Sequence, residues 1–199
     1  MNNKPDTRKT LVNEALKMFL TRGYDATSIN DISMKCGVTK GAFYHYFKSK
    51  DQLFRDVIEQ ISEEYEEFFI REIMSKESFE DFFFAYFSII SYHDKMSSHM
   101  GIDMNMVDLV FDGIKKIPDL RKSIAAIYTG LKEVMITRIN SAREDGEIDS
   151  SVDPESLALE IIILIEGMIL FEVLLQDENP AAGKTDIIAG KIWERIKKS

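Results

Sequence analysis

The sequence predicts an all-α fold of about nine helices, in which an N-terminal three-helix helix-turn-helix precedes a larger helical region. Three observations predict this class. Apolar residues recur at helical spacing through most of the 199 residues, the alternation typical of strands is absent, and capping residues or glycines separate the helical segments. Residues 1–49 are expected to form one domain and residues 50–199 a second one.

The first two helices are predicted from an apolar stripe and a capping motif. The stripe consists of Val12, Ala15, Leu16, Phe19 and Leu20. It ends at Gly23 and Tyr24, and Ser28 is then expected to cap the second helix while Asp31 reaches back from three residues on. Gly37 follows where the chain needs a left-handed turn, so a third helix is expected directly after it.

The third helix is expected to present a polar, basic face. Thr39 is placed to cap it, and Phe43 and Phe47 face inward. Tyrosine hydroxyls, lysines and helix N-terminal amides bind phosphate oxygens, and the second helix of a helix-turn-helix can enter a DNA major groove. An ordinary helical hairpin is the alternative, but it would seldom expose such a set. The residues expected to contact DNA are Thr27, Ser28, Thr39, Lys40, Gly41, Tyr44, His45, Tyr46, Lys48 and Lys50.

Lys50 is the most specific of these predicted contacts. Ser49 and Gln52 have the spacing of a capping box, which puts Lys50 in the first turn of the fourth helix. A cation at that end of a helix opposes the helix dipole. The sequence therefore favours a phosphate contact over a stabilising role for Lys50.

At these positions the chain resembles the TetR family of transcriptional regulators. The family pattern is close to T-x-x-x-x-I-x-x-x-x-G-V-x-x-G-x-x-Y-x-[HY]-F-x-x-K-x-x-L. The matching residues are Thr27, Ile32, Gly37, Val38, Gly41, Tyr44, Tyr46, Phe47, Lys50 and Leu53. Ser33 and Cys36 stand where the family more often has alanine, and both are small. The resemblance covers about the first quarter of the chain and implies a DNA-binding regulator.

Six further helices are expected beyond position 49. The first expected elements are a helix from Lys50 to Met74, a helix opened by Ser78 with Asp81, a loop near Ser97 to Gly101 and a helix from Ile102 to Lys116. A long helix is then expected to continue to Arg143 and to stop at Asp145 and Gly146. The last two are a helix capped by Asp153 with Pro154 in its first turn, and a helix from Asp186 to Lys198. The segment after Ser78 is apolar almost all round, which predicts burial.

Charge is unevenly distributed along the chain. The net charge is −9, yet residues 1–56 carry +4 and residues 57–199 carry −13. A basic head on an acidic body orients a molecule toward a polyanion. One cysteine excludes an intramolecular disulfide, no long uncharged apolar run is present, and the first residues lack a secretion signal, so a cytoplasmic protein is expected.

A pocket for a small lipophilic or amphipathic effector is predicted within helices 4 to 8. Aromatic residues and methionines are dense there, although core packing explains most of them equally well. The predicted lining residues are Phe68, Phe83, Tyr86, Phe87, Met104, Phe111, Tyr128 and Glu166. Glu166 stands among apolar neighbours, and it is expected to meet a basic residue, a hydrogen-bond donor, a cationic or hydroxylated ligand, or solvent at the edge of the helices.

The resemblance implies a homodimer in which the last two helices pair with their copies. The eighth helix is apolar on more than one face, which agrees with this expectation. The alternative is that it is the central helix of a monomer, which would show the same apolar pattern. The residues expected at the interface are Ile163, Gly167, Leu170, Ile188, Ile192 and Trp193.

The motifs of enzymes are missing from the sequence. It holds no Gly-rich phosphate loop, no G-x-S-x-G and no H-E-x-x-H, and the pair His99 and Asp103 makes a weak metal site. No cofactor or metal is expected. The predicted function is a sequence-specific regulator of transcription, a repressor that binds near-palindromic double-stranded DNA and is released by its effector. A helical ligand-binding or scaffolding protein with a non-functional head, and an all-α enzyme, are the alternatives.

Overall fold

The computed structural model describes residues 6–100, 106–175 and 178–198, with side chains for all of these except 93–100, 106 and 108. Within those ranges the chain forms nine α-helices, and its β-structure is limited to one bridge between Ile148 and Lys197. The helices are α1 (Thr7–Arg22), α2 (Ile29–Lys35), α3 (Lys40–Tyr46), α4 (Lys50–Phe68), α5 (Phe79–Met100), α6 (Met106–Lys116), α7 (Leu120–Asp145), α8 (Pro154–Leu175) and α9 (Thr185–Ile196). None of these helices combines the length and apolar character needed to cross a bilayer.

The chain divides into two compact units. The first comprises Met1–Glu66 with Met96–Arg121, and the second comprises Glu67–Lys95 with Lys122–Ser199. The first unit therefore extends past position 49, the predicted domain boundary, and takes in most of α4 together with α6. Since a compact unit and a functional domain need not coincide, the boundary at position 49 stays a prediction.

The core of the first unit is aromatic. Phe19 meets Phe54 edge to face with ring centroids 5.1 Å apart, and Tyr24 packs 4.7 Å from Phe54. Phe43 and Phe47 are fully buried, with centroids 5.6 Å apart. Such pairs add stability beyond the burial of their area, and those that involve Phe54 join α1 and the loop after it to α4.

The N-terminus of α5 in the second unit is capped from a distance. Ser78 Oγ accepts the Asp81 N–H at 3.0 Å, which confirms the predicted cap. The carboxylate of Glu147 also accepts the N–H groups of Phe79 and Glu80 at 2.9 and 3.3 Å. An anion here complements the positive end of the helix. Because Glu147 lies 68 residues beyond Phe79, local sequence gives no sign of this second cap.

α5 supplies much of the core of the second unit, as its composition predicted. Its buried residues there are Phe79, Phe82, Phe83, Tyr86, Phe87 and Ile90. Trp193 of α9 packs 5.7 Å from Phe83, while Ile161 and Ile165 of α8 are buried in the same cluster. These contacts hold α5, α8 and α9 together around one apolar centre.

Three predicted boundaries differ from the structure. The last helix ends at Ile196 and not at Lys198. The fourth helix reaches Met74 as expected, but its last stretch, Phe69–Met74, is π-helical. The loop predicted near Ser97 to Gly101 is wrong up to Met100, because α5 continues to that residue. The predicted start of the next helix at Ile102 lies outside the described residues. The predicted ends at Gly146 and Asp153 are confirmed: Gly146 has φ 75°, and Asp153 accepts the Ser156 N–H at 2.9 Å.

Candidate functional site

The exposed face of α3 is created by the two buried rings behind it. Because Phe43 and Phe47 are fully buried, the residues between them must point away from the core. Tyr44 is 47% exposed, and Lys40 and His45 are also exposed. Thr39 Oγ1 accepts the Ala42 N–H at 3.1 Å, so the predicted cap is present. A helix that carries a lysine, a tyrosine and a histidine outward can donate hydrogen bonds to phosphate or base edges.

Local bonds fix the start of α2, and a glycine forms the turn that leads from α2 into α3. Ser28 Oγ accepts the Asp31 N–H at 3.1 Å, and the Asp31 carboxylate accepts the Ser28 N–H at 3.1 Å. The hydroxyl and N–H of Ser28 lower the pKa of that carboxyl. Gly37 has φ 67°, a conformation that costs other residues about 1–2 kcal/mol. The predicted capping box and glycine turn are therefore confirmed.

Two more of the predicted DNA contacts lie at the end of α3. Tyr46 is the last residue of this helix, and Lys48 lies two residues beyond it. Tyr46 is 36% exposed, and its ring lies 5.2 Å from the ring of His45. Lys48 is exposed, and its N–H donates to Gln52 Oε1 at 2.7 Å, while Ser49 Oγ accepts the Gln52 N–H at 3.1 Å. Ser49 thus caps α4 as predicted. In a standard capping box the Gln52 side chain would accept a bond from the Ser49 N–H, but here it accepts one from the Lys48 N–H.

The ammonium group of Lys50 is committed to the protein itself. It donates to the carbonyl oxygens of Tyr24 and Thr27, both at 2.8 Å, and lies 4.0 Å above the centre of the Tyr24 ring. Burial lowers the pKa of Lys50. The inference that Lys50 lacks a stabilising role is therefore wrong, because the cation ties the α1–α2 loop to α4. Two of its three N–H donors are used in this way.

Thr27 is also turned inward, which corrects its place among the predicted DNA contacts. The residue is 1% exposed, and its hydroxyl is within hydrogen-bond distance of the carbonyl oxygens of Met18 and Gly23, at 3.3 and 3.0 Å. A hydroxyl buried in this way cannot meet a phosphate. Ser28, Thr39 and Gly41 are exposed and remain at the surface.

The α1–α2 loop is held from a second side by α6. The Tyr24 N–H donates to Asp112 at 3.3 Å, and Lys116 pairs with Asp25 at 2.8 Å. The Tyr24 hydroxyl donates to Asp51. Burial, followed by this bond and the charge on Asp51, raises the pKa of Tyr24. No local pattern predicts these contacts, because Asp112 and Lys116 lie about 90 residues from the loop.

Four of the eight predicted effector residues lie in the core of the second unit. Phe68, Phe83, Tyr86 and Phe87 are all at most 8% exposed. Phe68 stacks on Tyr92 at 3.8 Å, and Phe83 packs on Trp193. Two predicted residues lie elsewhere: Met104 falls outside the described residues, and Phe111 is 55% exposed on α6 in the first unit.

Glu166 meets a hydrogen-bond donor and is also exposed to solvent, two of the surroundings anticipated for it. Its carboxylate accepts a hydrogen bond from the Tyr128 hydroxyl. Loss of water around the carboxyl raises its pKa, and the bond from Tyr128 lowers it in part. Burial raises the pKa of Tyr86, and the charge on Glu166 adds to this effect. Glu166 and Tyr128 are both exposed, so this polar pair lies at the surface of the second unit.

The predicted interface residues divide into two groups. Ile163 of α8 is 67% exposed and Leu170 is 38% exposed, and a side chain at Gly167 would meet nothing within 4 Å. Ile192 and Trp193 instead lie in the core of the protomer, at 7% and 8% exposure, because α9 turns them toward α5. Ile188 is half-buried at the edge of that core. The sequence analysis did not name five further apolar residues of α8 and α9 that are exposed in the structure: Leu159, Phe171, Leu174, Leu175 and Ile187.

The described side chains include no group of three His, Cys, Asp or Glu residues that could hold a metal ion. Cys36 is half-buried, with its sulfur 3.8 Å from the Thr10 carbonyl oxygen, and burial raises the pKa of its thiol. A raised pKa keeps the thiol protonated and unreactive.

Two family models match the chain. The model for "Bacterial regulatory proteins, tetR family" matches residues 11–57, and the model for "Tetracyclin repressor-like, C-terminal domain" matches residues 109–187. The Transposon Tn10 TetC protein of Escherichia coli is 55% identical over 51 residues. That alignment takes in 26% of each protein, so the chain spans about a quarter of this relative's length.

Solved structures resemble the whole chain. A TetR transcriptional regulator from Chloroflexus aurantiacus J-10-FL has a TM-score of 0.78 and 25% identity, with all of both chains covered. A putative transcriptional regulator from Saccharomonospora viridis, in complex with choline, also has a TM-score of 0.78, with 15% identity and coverage of 96% of this chain and 98% of that one. The second likeness shows the fold alone.

Proposed function

Because the chain belongs to the TetR family of transcriptional regulators, we propose that it is a homodimeric repressor that a small lipophilic or amphipathic molecule releases from DNA. The observation that carries this proposal is the exposed face of α3. Buried rings behind that helix and caps at its entry hold it rigidly, as a helix that reads a major groove must be held. The protein acts in the cytoplasm, where its DNA lies, and as a regulator rather than an enzyme.

The DNA contacts in this proposal come from a reduced set of the predicted residues. Lys40, Tyr44 and His45 lie on the exposed face of α3, with Tyr46 and Lys48 at its end. Ser28, Thr39 and Gly41 bring exposed helix N-termini to the same surface. Lys50 keeps one free N–H donor for a phosphate, while Thr27 supports the loop from within.

Dimerisation is proposed through the exposed apolar face of α8. Leu159, Ile163, Leu170 and Leu174 follow one another at helical spacing, and each is at least 38% exposed. Glu166 is exposed between Ile163 and Leu170, so the stripe is apolar apart from this carboxylate. An exposed apolar stripe on a helix marks a protein–protein contact. A two-fold axis through this face would give the complex two heads, which bind successive major grooves about 34–36 Å apart on near-palindromic DNA.

The effector site is proposed beside Tyr86, Tyr128 and Glu166. These residues offer a carboxylate and two hydroxyls next to the apolar core of the second unit. Pockets for small molecules combine an apolar wall with a few polar groups in this way. The choline complex of the Saccharomonospora viridis regulator supports a small organic ligand for this fold.

Release is proposed to work by a shift between two states of the dimer. α4 carries Lys50 at its start in the first unit and ends in the second unit, so it links the head to the effector region along the chain. An effector that binds one state more tightly by several kcal/mol would move the dimer to a head spacing that no longer fits DNA.

Selection of bound duplexes from a randomised library tests this proposal. A dimer should enrich near-palindromes whose half-sites lie about 10–10.5 base pairs apart or at multiples of that distance. A scaffolding protein with a non-functional head would enrich no sequence. An all-α enzyme would instead turn over a lipophilic substrate, and enrichment without two-fold symmetry would contradict the dimer.

A further inference from the structure

We infer that the second unit holds a separate binding site, selective for a compact organic amine, where α5, the last turns of α8 and the segment before α9 meet. A cavity of about 250 Å³ lies there. It is lined by Ile90, Ser91, Met168, Glu172, Asn179, Ala181, Ala182, Gly183, Thr185 and Asp186. This inference stands apart from the effector site beside Glu166 and does not depend on it.

The cavity has an apolar wall and a fixed carboxylate. Ile90 and Met168 are buried at 8% and 7% exposure and offer alkyl and thioether surface. Asn179 is 7% exposed; its Nδ2 donates to Glu172 Oε2 at 2.6 Å, and its Oδ1 accepts the Ala181 N–H at 2.9 Å. A buried amide with bonds on both sides holds Glu172 in one orientation, as a binding site requires.

The lining of the cavity carries two carboxylates and no cation, and the one lysine in the adjoining segment, Lys184, is exposed. Glu172 and Asp186 are both in its lining, and none of its lining residues is basic. Within the described part of the chain, neither carboxylate lies within 4 Å of a cationic group. Asn179 is the one hydrogen-bond partner recorded for Glu172 among those residues, so Oε1 can accept from a ligand.

The helix dipoles do not reverse the preference of the cavity for a cationic ligand. Asp186 lies in the first turn of α9, whose end carries roughly half a positive charge, while Glu172 lies in the last turn of α8, whose end carries roughly half a negative one. The two ends offset each other and leave two full carboxylate charges. Cations are normally favoured at a helix C-terminus, but the last turn of α8 has no basic residue. The ammonium group of a bound ligand would supply the positive charge that is missing at this end of α8.

The size of the cavity limits the ligand. Each liquid water occupies about 30 Å³, so the space holds only a ligand of roughly ten non-hydrogen atoms. A drug-sized pocket is larger, at about 300–1,000 Å³. The apolar wall beside Met168 therefore suits a short alkyl or single-ring body, and Glu172 and Asp186 suit its ammonium group.

Positions on α8 separate this site from the effector site. Glu166 and Glu172 are six residues apart, which places them about 120° from each other around the helix. Glu166 is bonded to Tyr128, whereas Met168 and Glu172 line the cavity. Variants at 166 and 172 can therefore distinguish the two sites.

The test uses the full chain with [¹³C]methyl methionine and follows the Met168 methyl signal, assigned with Met168→Leu. The probes are 2-phenylethylamine and 3-phenylpropanoate, which have similar shapes and opposite charges. The amine should shift the Met168 signal saturably, and the acid should leave it unmoved. Glu172→Gln should weaken amine binding about tenfold or more, because it removes a charged hydrogen-bond partner. Glu178→Gln makes the same charge change at an exposed residue outside the lining and should bind as the wild type does.

Three results would overturn the inference: equal shifts from amine and acid, unchanged amine affinity in Glu172→Gln, or loss of amine binding in Glu166→Gln alone. The last would move the amine to the proposed effector site. If Glu172→Gln fails to fold, as seen by circular dichroism, Asp186→Asn at an exposed position takes its place. Its affinity for the amine should fall, and unchanged affinity would equally overturn the site. DNA binding is not measured, so failure of the repressor proposal leaves this result intact.

Discussion

At the scale of the residue, Lys50 shows how several small energies decide a role. A cation in the first turn of α4 opposes the helix dipole at a cost of about 0.3–1 kcal/mol. Each of its two carbonyl bonds, at 2.8 Å, contributes about 1.5–3 kcal/mol, since the donor is charged. Its position 4.0 Å above the Tyr24 ring adds about 0.5–2 kcal/mol. The bonds outweigh the dipole, so Lys50 stabilises the head.

Replacement of Lys50 should therefore lower stability. Lys50→Ala should reduce the free energy of unfolding by about 2.5 kcal/mol or more, because two carbonyl oxygens lose a charged donor and the Tyr24 ring loses its cation. Lys48→Ala, at an exposed neighbour, should change it by less than about 0.5 kcal/mol but reduce the salt slope of DNA binding by about one. Urea unfolding and binding titrations at several salt concentrations measure both effects. If the two variants were equally stable, the claim that Lys50 stabilises the head would be wrong.

The residues that sequence reading placed correctly have partners close by in the chain. Ser28 and Thr39 bond to groups three residues away, so their spacing was sufficient. Lys50 has carbonyl partners 23 and 26 residues away, and they turn its side chain inward. The hydroxyl of Thr27 lies near one carbonyl oxygen 4 residues away and a second one 9 residues away, so only part of its surroundings is local. The sequence shows that a lysine is present, but it does not show which distant carbonyl oxygen this lysine binds.

At the scale of the element, the capping box of α2 should make the head sensitive to acid. The bonds from Ser28 lower the pKa of Asp31 in the folded protein. Their stabilisation is therefore complete above the unfolded pKa of about 3.9 and is lost as pH falls through the lower folded pKa. Asp31→Asn should melt below the wild type at neutral pH and match it more closely in acid.

Calorimetric melting between pH 2.5 and 7 measures this difference, and Ser28→Ala serves as the matched control. Without the Ser28 hydroxyl, the Asp31→Asn substitution should have a smaller effect on melting at neutral pH. A constant difference between wild type and Asp31→Asn at every pH would show that the carboxylate charge plays no part in the cap.

Helix ends and helix faces differ in how far the sequence determines them. Gly146 and Asp153 ended and began helices as predicted, because their chemistry is local. The end of α5 was placed too early, since the serines and Gly101 resemble a loop while the helix continues through Met100. On α9, helical spacing identified an apolar stripe but could not say that α5 would cover it.

At the scale of the whole molecule, the two faces of α8 have different uses. Ile161 and Ile165 are buried in the core of the second unit, while Ile163 is 67% exposed. Periodicity predicted that the helix is apolar on more than one side, and only the packing shows which side is left open. The open side is the surface proposed for the second protomer.

A charge on that surface should separate the protomers without unfolding them. Ile163→Glu should shift the protein from dimer to monomer, because a carboxylate would be buried in an apolar interface. The side chain is mostly exposed in the protomer, so the far-ultraviolet circular dichroism spectrum should not change. Met34→Glu, at a residue 71% exposed on α2, is the control and should remain a dimer. Sedimentation equilibrium measures both, and a dimeric Ile163→Glu would exclude this interface.

The central claim is that the exposed face of α3 binds DNA, and fluorescence anisotropy with a duplex selected by the wild-type protein tests it most directly. Tyr44→Ala should bind at least tenfold more weakly with an unchanged melting temperature, because the side chain is 47% exposed. Ile127→Ala, 58% exposed on α7, should bind as the wild type does. Saturation at two protomers per duplex, with affinity that falls steeply as salt rises, is the predicted result. Full affinity in Tyr44→Ala would contradict the assignment of this face.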